Sequence, residues 1–347
     1  MSTTDKKAMD VSDEELSQLT VKDVQRTFQG VMEQTSKVVI GGEETIEFLF
    51  IGMLCGAHIY LEGVPGIAKT WTTNAFTTTM GCDFNRIQFT PDMLPSDIVG
   101  TNIFNPKTGT FRLKKGPIFA NVILADEINR APPKTQSAML EAMAEGQVSI
   151  EGETHKLAQP FCVIATANPV EQEGTYPLPE AQLDRFLVKL NLEYVSPDDE
   201  LEIIRVKNNP KPAKLEAVTS PQALVQMQKV VKNVYTHDDI LKYIRDIIIR
   251  SREDPRLALG ASPRASISLL VSAKARAAIE GRNYCVPDDV LYMINHVLHH
   301  RLIMKPEAEL EGISQKRVAK DISNEVNAPV ELEVPVMFDD FEDEEDF

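Results

Sequence analysis

An apolar run ending in Ile59-Tyr60-Leu61 gives way to Gly63-Val64-Pro65-Gly66-Ile67-Ala68-Lys69-Thr70, and a segment able to form a helix follows. Few folds place a glycine-rich turn between a strand and a helix, and that context makes these eight residues a phosphate-binding expectation. Successive backbone N–H groups and the helix N-terminus suit anionic phosphate oxygens. Lys69 is expected to reach the β- and γ-phosphates of a nucleotide, and the Thr70 hydroxyl to ligate Mg²⁺. Ala68 stands before the lysine, where Gly is usual. A Cβ there is harmless on a right-handed backbone and costs roughly 1 kcal/mol or more if φ is positive.

The 347 residues suffice for a large core and are expected to form two domains. Up to residue 196, apolar runs at 122–125, 161–165 and 186–192 alternate with helical patterns. Such runs predict a parallel α/β sheet covered on both faces, and ligands of such sheets sit at the carboxyl ends of strands. Asp126 and Glu127 end one run, and Asn168 ends the next. Asp126 is expected to hold Mg²⁺ with Thr70, directly or through water. Glu127 faces elsewhere and suits orienting or polarising the attacking water. The neutral amide of Asn168 could hold the same water and contact the γ-phosphate. This set fits phosphoryl transfer, where catalysis is mostly positioning and charge neutralisation. An Asp-Glu pair after an apolar run can also be a solvated helix start; the upstream glycine loop and Asn168 argue against that here.

After Pro197 the strand-like runs largely stop, and helical patterns follow at 198–208, 222–231, 238–251, 265–280 and 288–302. The expected division is a disordered or loosely helical segment at 1–20, an α/β core at 21–196, an all-helical domain at 197–329 and an acidic, disordered tail at 330–347. Hairpins are expected near 101–114 and 147–157, around Asn-Pro and Gly signals. The formal net charge is -16, and nine of the negative charges lie after Val330, which leaves -7 for the rest. Neither figure gives the basic footprint of a nucleic-acid binder. The longest charge-free apolar run covers residues 48–61, short of the roughly 20 residues that span a bilayer, so no membrane insertion is expected. The N-terminus lacks the apolar core of a signal peptide. Cys55, Cys82, Cys162 and Cys285 are scattered singly, which fits a reduced, cytoplasmic chain. His296, His299 and His300 have a spacing that can share a helix face, but no carboxylate or Cys nearby completes a metal set.

The chain resembles AAA+ ATPases of the MoxR family. The resemblance rests on Gly63–Thr70, on Ala125-Asp126-Glu127-Ile128-Asn129-Arg130-Ala131-Pro132-Pro133-Lys134-Thr135-Gln136, on Ala165-Thr166-Ala167-Asn168-Pro169, and most specifically on the stretch from Glu171 to Phe186 that ends Leu183-Asp184-Arg185-Phe186. It runs from about residue 21 to 305, and the family tolerates Ala at the position of Ala68. The resemblance implies a P-loop parallel-sheet core with a C-terminal helical lid. By it, Lys69 and Thr70 form the Walker A pair, Asp126 and Glu127 the Walker B pair, and Asn168 is sensor 1. Arg185 is implied to be an arginine finger acting on the neighbouring subunit's nucleotide, and Arg264, in Ser262-Pro263-Arg264, to be sensor 2. Val39, Ile40 and Gly41 match the stretch lining the adenine pocket. The two hairpins match elements that face the pore of related rings and touch the client. A homo-oligomeric ring, a hexamer, is implied, working as a chaperone on client proteins with a von Willebrand factor A-domain partner. Two competing readings are a nucleic-acid-dependent ring motor, which the acidic charge disfavours, and a nucleotide-gated scaffold, which the presence of Glu127, Asn168 and Arg185 disfavours.

Overall fold

The computed structural model describes residues 18–64, 66–107, 109–169, 175–209 and 213–330. The expectations for residues 1–17, for the acidic tail from 331, for Pro65 and for Glu171 to Gly174 lie outside the described residues.

The chain opens with helices α1 (Val21–Ser36) and α2 (Glu43–Leu54). Strand β1 (Ile59–Gly63) then feeds the glycine loop and helix α3 (Lys69–Thr79). Next come β2 (Phe84–Gln88), the short α4 (Pro95–Val99) and a hairpin of β3 (Gly100–Asn105) and β4 (Thr110–Lys115). Strand β5 (Val122–Asp126) precedes α5 (Pro133–Glu145), and a second hairpin of β6 (Gln147–Ile150) and β7 (Glu153–Lys156) leads to β8 (Cys162–Ala167). The short α6 (Glu180–Leu183) and β9 (Val188–Leu192) complete the sheet, whose order is β2-β5-β8-β1-β9. All its pairings are parallel.

Every residue of β5 and β8 is buried, which explains why these strands read as continuous apolar runs. Successive side chains leave opposite faces. Ile59, Leu61, Val122, Leu124 and Ile164 therefore enter one core cluster, while Tyr60, Ile123, Ala125, Val163 and Ala165 enter the other. The first cluster continues into α1, α2 and the helices after residue 197; the second packs under α5 and Phe186.

Beyond β9 run α7 (Pro197–Asn208), α8 (Pro221–Lys232), α9 (Asp238–Glu253), α10 (Pro263–Ile279) and α11 (Pro287–Leu298). Two elements depart from the all-helical expectation: β10 (Leu257–Leu259) pairs antiparallel with β11 (Ile303–Met304). Strands of three and two residues are too short to leave an alternation in the sequence. Helices α12 (Pro306–Leu310) and α13 (Gln315–Glu325) close the described chain.

Candidate active site

Three neighbouring strands of the sheet end side by side. Register pairs Glu62 with Ala167 across β1 and β8, and Ala125 with Ala165 across β5 and β8. The glycine loop, Asp126-Glu127 and Asn168 thus leave the sheet along one edge, from strands about 4.8 Å apart. Gly63 is fixed by close approach: a Cβ there would lie 2.9 Å from the Leu192 carbonyl oxygen and 2.5 Å from Ile67 Cδ1. Ala68 adopts φ 58° and ψ 22°. Of the two alternatives its sequence position left open, the left-handed and costly one is realised.

Lys69 Nζ donates to the Gly63 carbonyl at 2.5 Å and to the Ala167 carbonyl at 3.3 Å. Burial pushes its pKa below the ordinary lysine value, while Asp126, Glu127 and Glu62 pull it back up. Asp126 is buried, and its carboxylate is held from two sides. Thr166 Oγ1 donates to Oδ1 at 2.6 Å, and Arg86 donates to Oδ2 through Nε at 3.0 Å and Nη2 at 2.6 Å. Glu127 also has a left-handed backbone, at φ 56°. Its Oε2 accepts from Gln88 Nε2 at 2.8 Å and from Arg130 Nη1 at 3.0 Å. The turn after β5 thus aims the two adjacent carboxylates at different partners. Asn168 is buried beside them.

Val39, Ile40 and Gly41 line a cavity of about 1230 Å³ together with Gly66, Ile67, Ala68 and Lys69. This is volume enough for a nucleotide. Sequence reasoning missed several of its walls. Trp71 is half exposed, with its indole N–H on the Val38 carbonyl at 2.8 Å and Lys207 Nζ 5.4 Å over its ring. His296, His299 and Lys316 close the cavity from the helical part. Burial lowers both His pKa values to about 4, so these imidazoles are neutral at physiological pH. His300 is buried instead against the Phe186 carbonyl, 3.3 Å from Nε2. A signal for Trp71 existed: it is the single tryptophan and directly follows Lys69-Thr70. Arg86 and Gln88 gave none, because their roles depend on sheet register; Arg130 reaches Glu127 three residues back through the turn after β5.

Arg185 and Arg264 are not brought to this cavity. Leu187 N–H bonds the His58 carbonyl at 2.8 Å, so the Arg185 loop lies level with the start of β1. The five residues of β1 then separate it from the glycine loop, about 16 Å at the rise of a strand. Arg185 is exposed, and among the described residues its guanidinium has no ion-pair partner. Arg264 lies at the same end of the sheet, where its Nη1 is 3.3 Å from Asp184 Oδ2.

The donor set fits Mg²⁺ that arrives with a nucleotide. No group of three or more His, Cys, Asp or Glu among the described residues could hold a metal on its own. Mg²⁺ commonly takes only one or two protein ligands plus phosphate oxygens and waters. Three of about four lone-pair sites of Asp126 are already used, which leaves one for a metal-bound water.

Residues 58–188 match the family described as "ATPase family associated with various cellular activities (AAA)", and residues 249–322 match the AAA lid domain. The chain is 45% identical over 301 residues to the uncharacterised protein YeaC of Bacillus subtilis, covering 86% of this chain and 94% of that one. It is 40% identical over 318 residues to Chaperone MoxR1 of Mycobacterium tuberculosis, covering 89% and 84%. A crystal structure of a Cytophaga hutchinsonii protein superposes with a TM-score of 0.84 at 43% identity, covering 91% of this chain and 98% of that one.

Proposed function

Because the chain belongs to the MoxR family of AAA+ ATPases and hydrolyses ATP, we propose that it works as a Mg²⁺-dependent ring chaperone whose active site is shared between subunits. The observation that carries this reading is the split in its chemistry. Lys69, Asp126, Glu127 and Asn168 converge at one end of the sheet, and the exposed Arg185, with no ion-pair partner among the described residues, stands at the other.

In this reading the cavity lined by Val39, Ile40 and Gly41 takes the adenine. The loop from Gly63 through Val64, Pro65, Gly66, Ile67 and Ala68 takes the phosphates, with Lys69 neutralising the β- and γ-phosphates. Thr70 and Asp126 would hold Mg²⁺, which supplies charge neutralisation at the phosphates. Glu127 orients and polarises the attacking water, with its Oε2 held by Gln88 and Arg130. Asn168 holds the same water against the γ-phosphate. Arg185 of a neighbouring subunit meets the developing charge, a task that suits a guanidinium because it stays charged and offers several donors. The position of Arg264 beside Asp184 supports a role across the same subunit boundary.

A closed ring, a hexamer, satisfies every site at once. The hairpin of β3 and β4 supports contact with a client: Ile103, Phe104 and Phe111 are exposed on it beside Arg112, Lys114 and Lys115. The work is remodelling or maturing client proteins, with a von Willebrand factor A-domain protein as partner. Its setting is the cytoplasm, which four free thiols support. No helix among the described residues is long and apolar enough to cross a membrane.

Steady-state ATP hydrolysis tests the site. Lys69→Ala and Glu127→Gln are each expected to lower kcat by about 100-fold or more, with Glu127→Gln still binding ATP. Wild-type rates in both variants would sink the assignment. Strong, salt-sensitive stimulation by DNA or RNA would favour the motor reading instead.

A further inference from the structure

The loop that carries Arg185 is held by one side chain from 116 residues further along the chain. Arg301, in the turn after α11, is buried. Its Nε donates to Asp184 Oδ1 at 2.7 Å. Its Nη2 reaches the Asp184 carbonyl at 3.3 Å and the Phe186 carbonyl at 2.6 Å. Its Nη1 donates to the Leu187 carbonyl at 3.1 Å and also to the Val297 carbonyl. Nη2 is also 3.2 Å from Ser268 Oγ on α10. The carbonyls on both sides of Arg185 are thereby gripped, while the Arg185 side chain itself is left exposed. Asp184 is tied further to the helical part at its Oδ2, by Ser262 Oγ and by Arg264 Nη1, each at 3.3 Å. Phe186, on the other side of Arg185, is fully buried and lies with its ring centroid 5.3 Å from that of Tyr60.

We infer that Arg301 is a positioning residue for catalysis: through Asp184 and the flanking carbonyls it fixes where Arg185 projects, and it makes that projection follow the helical domain. The inference rests on the reading of Arg185 as a finger that acts on the neighbouring subunit. Arg185 is exposed and has no ion-pair partner among the described residues, so fixing where it projects serves a subunit that receives it. A planar guanidinium suits the task because it offers five donors in a rigid fork; a lysine at 301 would keep the charge and hold one or two acceptors. A movement of α10 or α11 in one subunit would therefore shift a catalytic group in the next subunit's site. Sites around the ring become coupled through a chain of contacts that begins at Ser262, Arg264, Ser268 and Arg301.

The test uses full-length protein and ATP. Arg301→Lys is expected to lower kcat about tenfold or more while KM for ATP changes less than about twofold, because its own nucleotide cavity is untouched. A merely structural role is separated by mixing subunits. Lys69→Ala subunits have a dead phosphate loop, yet they carry intact Arg185 and Arg301. In an equal mixture with Arg301→Lys, about one site in four combines a live loop with a well-placed finger, so about a quarter of the wild-type rate per subunit should return. Asp184→Asn, which keeps shape and weakens the Arg301 anchor, should show the same pattern and carries the test if Arg301→Lys fails to fold. Arg185→Ala mixed with Lys69→Ala is the control. If the control recovers and neither the Arg301→Lys nor the Asp184→Asn mixture does, Arg301 only holds the fold and the inference is overturned. Wild-type kcat in Arg301→Lys overturns it as well. If the control itself does not recover, the finger reading fails and takes this inference with it.

Discussion

Ala68 shows how one atom matters in the glycine loop. A left-handed residue with a Cβ is strained by about 1–2 kcal/mol, and Ala68 sits there at φ 58°. Glycine removes the strain but adds freedom to the unfolded chain, worth about 0.4–1 kcal/mol. Ala68→Gly is therefore expected to stabilise the protein by about 0–1.6 kcal/mol, read as a higher urea midpoint at unchanged slope. A destabilised variant would show that the methyl makes a contact that outweighs its backbone cost. Trp71 offers a second residue-scale prediction. It is the single tryptophan, half exposed on the wall of the cavity. ATP added to Glu127→Gln should exclude water from the indole and move its emission to shorter wavelength. Lys69→Ala should need far more nucleotide for the same change. An emission that ATP leaves untouched would remove the nucleotide from this cavity.

At the scale of elements, His58 joins three of them just before β1 begins. Its Nδ1 accepts from the Val163 N–H at the start of β8 at 3.0 Å, and its Nε2 donates to the Met143 carbonyl on α5 at 3.0 Å. The bond that Nδ1 accepts requires the neutral ring, and burial lowers its pKa to about 4 from an ordinary 6.5, against the pull of the Met143 carbonyl. The unfolded chain therefore binds more protons between these values. Stability is full above about pH 6.5 and falls as pH drops toward 4, by up to about 3 kcal/mol from this group. Urea unfolding at pH 7 and pH 5 should show that loss. His58→Gln, which keeps a donor and an acceptor without titrating, should make the loss smaller and leave the share of His296, His299 and His300, which burial also holds below the ordinary value; an equal loss in both proteins would assign it wholly to those groups. This clasp was not legible in the sequence, where His58 only interrupts an apolar run. The strands themselves were, because burial on both faces leaves β5 and β8 continuously apolar. So were the groups at their ends, Asp126, Glu127 and Asn168. What register decides stayed hidden: Arg86 and Thr166 meet Asp126 only because β2, β5 and β8 lie side by side. Arg301 meets Asp184 across 117 residues, a contact that periodicity cannot report. Helix α13 was missed although Val318 and Ile322 are spaced for one buried face and Ser314 caps it through the Arg317 N–H. Its polar remainder masked the pattern.

At the scale of the whole molecule, the distance between Arg185 and the glycine loop has a consequence for kinetics under the proposed sharing of the site. Arg185 lies about 16 Å along β1 from the glycine loop of its own chain, further than an arginine side chain extends. A finger placed there serves a neighbour or nothing. Hydrolysis per subunit should then be proportional to the fraction of subunits assembled, and assembly follows mass action. Serial dilution from micromolar to low nanomolar protein should make the specific ATPase rate fall steeply, and Arg185→Ala should sit near the diluted limit at every concentration. Linkage adds a sign. If Arg185 binds the γ-phosphate across the boundary, ATP must strengthen assembly by the factor by which assembly strengthens ATP binding. Glu127→Gln, which keeps ATP unhydrolysed, should therefore form its largest species at lower protein concentration with ATP than with ADP, as read by light scattering after gel filtration. A specific rate that stays constant on dilution, together with a size that ignores the nucleotide, would leave each subunit complete in itself and Arg185 without a catalytic role.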